Sequence, residues 1–128
     1  MATDVVLVER MARLFLPAQK ELTLLQFGPL PTGRSYLISA TGWAQGDSTE
    51  VRLNLEAFGA KDSVGIGATD SRWASSFSLV VAVTIPLDED LFTVAKVTGI
   101  KGRNRAFIES LRLVVLPVDS VTVLPFSG

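Results

Sequence analysis

The chain has 128 residues, of which 48% are hydrophobic and 20% charged, the composition of a folded domain and not of a disordered segment. Twelve Lys and Arg against 13 Asp and Glu leave a net charge of −1, so there is no basic surplus to grip a nucleic acid backbone. Cysteine and histidine are absent, which excludes disulfides, thiol nucleophiles, Cys/His zinc sites and imidazole acid–base chemistry.

The length predicts one domain over residues 1–128. No run approaches the roughly 20 apolar residues of a membrane-spanning helix. The short apolar run Val5 to Val8 lacks the basic flank and length of a secretion signal. The expected location is therefore cytoplasmic, virion-associated or reached by leaderless export.

Taken in chain order, residues 4–16 are the ambiguous segment. Glu9, Arg10 and Arg13 fall within about 100° on a helical wheel, but the β-branched start favours a strand. Residues 1–20 then form a peripheral or inter-subunit strand. Residues 21–27 are a further candidate strand. The turn Pro31-Thr32-Gly33 launches residues 35–44, where Tyr36, Ile38 and Ala40 share one face and Leu37, Ser39, Thr41 and Trp43 the other. Residues 50–58 alternate most clearly: Val51, Leu53, Leu55 and Ala57 against Glu50, Arg52, Asn54 and Glu56. Gly46-Asp47-Ser48 reads as the turn before this strand.

Residues 63–68 are a short strand with one face bared by Gly65 and Gly67. Residues 77–85 alternate and end at Pro86. Residues 91–100 form a strand closed by the turn Lys101-Gly102-Arg103-Asn104. Residues 107–116 follow, interrupted by Pro117, and residues 118–124 form a last edge segment. Seven to nine short strands with frequent turn signals predict an all-β fold, an antiparallel β-sandwich of jelly-roll type.

Three features carry a resemblance. They are Tyr36-Leu37-Ile38-Ser39-Ala40 after its glycine turn, the alternating Val51 to Leu55, and the aromatic and aliphatic spacing of Ala106 to Val115. Together, over roughly residues 33–116, they resemble tumour-necrosis-factor-like and complement-head-like jelly rolls of bacterial and phage type. The resemblance implies a compact trimer used for binding or display, with no catalysis.

Assembly is expected on independent grounds. Leu79-Val80-Val81-Ala82-Val83 and Leu113-Val114-Val115-Leu116 are apolar on both faces, whereas one face of a sandwich strand normally meets water. The outward face needs a cover, either the N-terminal segment or another subunit. A homo-oligomer, with itself as principal partner, is the leading expectation.

Few residues suggest chemistry. Asp88-Glu89-Asp90 lacks the glycine and spacing of a calcium loop and reads as a solvated turn. Lys101, Arg103 and Arg105 form a basic turn suited to phosphate, sulfate or an acidic glycan. No aromatics interleave it in sequence, so stacking of nucleic acid bases is not expected. Trp43 and Trp73 have polar neighbours, and with Arg72 they define an alternative reading as a carbohydrate-binding module. Gly65-Ile66-Gly67 is no phosphate loop, and Ser75 and Ser76 have no histidine to activate them. The expected function is a non-enzymatic structural or interaction module with no cofactor and no metal. Its candidate ligand-binding residues are Trp43, Trp73, Arg72, Arg103 and Arg105, its partners a second copy of itself, another protein or a glycan.

Overall fold

A computed structural model describes residues 5–126. Every regular element among them is a strand: β1 (Val6–Arg10), β2 (Leu14–Phe15), β3 (Leu22–Phe27), β4 (Arg34–Ala57), β5 (Ala60–Ile85), β6 (Ala95–Lys101) and β7 (Ala106–Val118). All named strand pairings are antiparallel, in the order β1-β7-β4-β6-β3, with β5 on the other edge of β4 and β2 beside β7. No helix among the described residues is long and apolar enough to cross a membrane.

The framework is the β4–β5 hairpin. Its strands run 24 and 26 residues, where the sequence predicts two short strands in each. Phe58 (φ 45°) and Gly59 (φ 80°) close it as a two-residue turn with both residues left-handed. β5 pairs with β4 along nearly its whole length. On its other edge β4 pairs with β7 over residues 35–46 and with β6 over residues 51–56.

The predicted turn Gly46-Asp47-Ser48 is a bulge instead. The β4–β5 register shifts between Asp47 and Thr49, and Ser48 alone adopts φ 51°. Between these pairs β4 passes one unpaired residue, Ser48, and β5 three, Thr69 to Ser71, and the interruption changes the parity of β4. Before it the inward residues are Tyr36, Ile38, Ala40 and Ala44; after it they are Thr49, Val51, Leu53, Leu55 and Ala57. The chain thus turns a corner without losing its partner or exposing its apolar face.

β7 uses the same device. Ser110 (φ 55°) lies at a register shift opposite Gly42, and inward positions change from Ala106 and Ile108 to Leu111, Leu113 and Val115. Gly42 is bare because a Cβ there would lie 2.7 Å from Cζ of Phe77.

The bends let the two halves of the sheet close on one contiguous apolar cluster, in which Ile38, Ala40, Leu53, Leu55, Val97 and Leu113 are fully buried. β1 comes alongside β3 without pairing to it, which makes the sheet nearly closed. Truncating Leu53 or Leu55 to alanine in so dense a core costs about 2–5 kcal/mol.

Three further expectations change. Within residues 5–16 the favoured strand reading holds, as β1 and β2, but both pair with β7 of the same chain, which makes this segment part of the sheet and not its cover. Asp4, the start of that predicted segment, lies outside the described residues, as does the stretch before it. Lys101 ends β6 as a buried strand residue, its ammonium donating to Gly102 O at 3.1 Å. β7 runs through Pro117, which lies opposite Tyr36, and among the described residues no strand forms beyond Val118.

Candidate functional site

The outward face of β5, β4, β7 and β1 brings the informative residues together. Its order follows from the register, because outward residues of paired strands stand side by side. Leu37 lies between Ala82 and Leu116. Ser39 lies between Val80 and Val114, and Val114 is flanked by Leu7 of β1. The next row is polar: Thr41 with Ser78, Arg112 and Glu9. Trp43 follows, between Ser76 and Glu109, then Gln45 beside Ala74, Phe107 and Phe15, and finally Asp47 opposite Arg72.

The first rows are apolar and open. Leu37 is 41% exposed, Val80 52% and Leu7 52%. Val80, Val114 and Leu116 are outward residues of the two segments whose sequence is apolar on both faces, and Leu37 and Leu7 flank them on β4 and β1. The described part of the N-terminal segment does not cover them, since β1 extends the sheet at its edge. Beyond them, Arg112 and Glu9 form an exposed ion pair at 3.5 Å.

The middle is marked by Trp43, 37% exposed. With Thr41, Ser76, Ser78 and Ser110 it lines an open depression of about 590 Å³. Trp73 is elsewhere. It points inward at the corner, where its indole N–H donates to Thr49 O at 2.7 Å. Its ring lies so close to Gly46 and Gly67 that a Cβ on either would stand 2.8 Å from it. The two tryptophans therefore lie on opposite faces of the sheet and do not flank a common ligand. No known family model matches the chain, and no curated protein is similar to it in sequence.

The last rows form a cleft of about 370 Å³ lined by Arg13, Phe15, Gln45, Gly46, Asp47, Arg72, Arg105 and Phe107. Phe15 and Phe107 meet edge to face, with centroids 5.5 Å apart. The guanidinium of Arg13 lies over Phe107 and that of Arg105 over Phe15. Aromatics do interleave with the basic residues here, contrary to the sequence reading. They come from β2 and from β7, on either side of a long gap in sequence. Arg72 and Arg105 of the predicted set are thus brought together. Arg13, Phe15 and Phe107 were missed because nothing in the local pattern links residues 13–15 with residues 105–107.

Arg103 lies apart. It lines a wider depression with Lys101, Gly102, Asn104, Ser48 and Thr49 at the other side of the corner. The Thr49 hydroxyl is buried there without a hydrogen-bond partner among the described residues. Asp88-Glu89-Asp90 is a capped turn, in which Asp90 N–H donates to Asp88 Oδ1 at 3.0 Å.

Proposed function

We propose that this protein is a non-catalytic interaction module that assembles with further copies of itself through the apolar end of the outward face. The single observation that carries the reading is the open patch of Leu37, Val80, Val114, Leu116 and Leu7 on paired strands. Isolated exposed aliphatics are ordinary, but contiguous ones mark contact surfaces.

A second copy is the fitting occupant. The side chains of the patch are uncharged, as suits the charge-depleted centre of an interface between copies, and the Asp62 carboxylate stands only at its outer edge. The Arg112–Glu9 pair at its border supplies both signs, so a two-fold axis would set each charge against its opposite. Four strands at about 4.8 Å spacing and rows 35–41 at about 3.3 Å per residue span roughly 19 by 23 Å. Two such faces approach the ~1,000 Å² of buried surface that separates specific interfaces from incidental ones.

Light scattering coupled to size exclusion tests this. The expected mass is two or three times 13.8 kDa, with three matching the resemblance. Val80→Asp, which changes an outward side chain only, is expected to return the monomer with unchanged circular dichroism. A wild-type monomer across the micromolar range overturns the reading.

A carbohydrate-binding role is the second reading, favoured by Trp43 among the hydroxyls of Thr41, Ser76, Ser78 and Ser110. An indole face stacks on a sugar ring while hydroxyls bond its edge. Glycan-array binding that disappears with Trp43→Ala supports it. Binding that survives this change places the sugar elsewhere.

A further inference from the structure

The arginine–phenylalanine cleft supports an inference independent of the assembly patch. Three guanidiniums, from Arg13, Arg72 and Arg105, meet one carboxylate, Asp47, in its lining. A positive excess is thereby concentrated in a chain whose net charge is −1.

The donors are also held in place. Arg13 Cζ lies 4.0 Å from the Phe107 ring centroid and Arg105 Cζ 4.5 Å from that of Phe15. A guanidinium stacked on a ring keeps its N–H groups directed outward in its own plane, so less freedom is lost when an anion binds. Arg105 makes no ion pair among the described residues. Arg72 meets Asp47 through Nε at 3.7 Å, and Arg13 meets Glu109 through Nε at 3.6 Å. Both contacts exceed the length of a charge-assisted hydrogen bond, so neither carboxylate holds its guanidinium tightly against a competing anion. Phe107 is buried, with Arg13 lying over its ring. The two rings therefore act as supports for cations and not as platforms for a nucleic acid base.

We propose that this cleft binds a tetrahedral oxyanion, a phosphate or sulfate group, through Arg105, Arg13 and Arg72. Three guanidinium forks carried by separate segments suit an acceptor with oxygens in several directions better than a single planar carboxylate. Gln45 adds an amide at the edge. The group can arrive free or as an ester on a sugar. Trp43 lies two residues along the same face from Gln45, about 7 Å by strand geometry.

The test is an NMR titration of arginine Nε–Hε signals with inorganic phosphate and inorganic sulfate, at fixed ionic strength against chloride. Saturable shifts of the Arg13, Arg72 and Arg105 signals are expected with either oxyanion and not with chloride. Arg105→Gln is expected to raise Kd at least tenfold, whereas Arg103→Gln, outside the cleft, leaves it unchanged. Shifts shared with chloride, or equal losses in both variants, overturn the proposal and reduce the effect to general attraction by the basic turn. A sugar phosphate and a sugar sulfate form the second arm. Binding at least tenfold tighter than the inorganic ion, with the gain lost in Trp43→Ala, identifies a sugar ester. No gain identifies the free anion as the ligand of the same site.

Discussion

Asp62 Oδ2 accepts a hydrogen bond from the backbone N–H of Val80 at 3.0 Å, although both residues belong to β5. The strand is bent so far by its bulge that its first part reaches its own later edge. β5 pairs only with β4, so its other edge presents unpaired backbone groups. Asp62 occupies one of those donors and places a charge there, both of which discourage a further strand from adding.

Asp62→Ala is expected to lower stability by about 1 kcal/mol, the net worth of one such bond at an exposed site. It is also expected to make the protein more prone to edge-to-edge aggregation. Urea midpoints at low concentration read the first effect, and turbidity on heating reads the second. An unchanged midpoint together with unchanged turbidity would show that the contact does not guard the edge.

The corner depends on Gly67. Its φ is 121°, and a Cβ there would stand 2.6 Å from Thr49 O and 2.8 Å from the Trp73 ring. Neither neighbour can withdraw, because they are hydrogen-bonded to each other. Gly67→Ala is expected to cost roughly 2–4 kcal/mol, combining backbone strain with overpacking. Gly59→Ala is the control. Its φ of 80° is also left-handed, but nothing lies within 4 Å of the new methyl, so only the backbone term of about 1–2 kcal/mol applies. Equal losses by thermal or urea unfolding would remove the argument from crowding.

The two tryptophans are expected to report different environments. In Trp73→Phe only the exposed Trp43 remains, and in Trp43→Phe only the wedged Trp73. Acrylamide should quench the first protein markedly more than the second. Trp73→Phe should also cost about 1–2 kcal/mol through the lost bond and the Thr49 carbonyl left without that donor. Trp43→Phe, on the open face, should be near neutral. Similar quenching in the two proteins would contradict the placement of Trp73.

Tyr36 supplies the pH prediction. It is the single tyrosine, it is buried, and its hydroxyl donates to Pro31 O at 2.6 Å. Burial raises its pKa above the ordinary 10.0, with Arg34 acting weakly in the opposite sense. The folded state therefore holds the proton more tightly than the unfolded chain. The stability from this group is complete below pH 10 and is lost as pH rises through the folded pKa. Absorbance at 295 nm should show phenolate appearing later than in the denatured chain. Tyr36→Phe should flatten that alkaline loss while costing about 1 kcal/mol at neutral pH. An unshifted phenolate curve would refute it.

Much of this molecule follows from strand periodicity. The inward sets Tyr36-Ile38-Ala40 and Val51-Leu53-Leu55 are legible because alternate side chains must take opposite faces. The same rule marks Val80 and Leu37 as outward and apolar, which is the basis of the assembly reading. What the sequence does not distinguish is a turn from a bulge. Gly46-Asp47-Ser48 carries the residues of either, and Ser48 and Ser110 take left-handed backbone without the glycine that signals it. Two pairs of short strands are consequently two long bent ones. The cleft is a product of tertiary structure for a related reason. Arg13 and Phe15 reach Arg105 and Phe107 only because β2 pairs with the start of β7, and that pairing is selected by closure of the whole sheet. Within each uninterrupted stretch, sequence alone determined which residues are dry and which are wet, since that is a local consequence of the period-2 backbone. Where the sheet bends, and which distant cations therefore share a surface, was decided by the packing of its two halves on a single core.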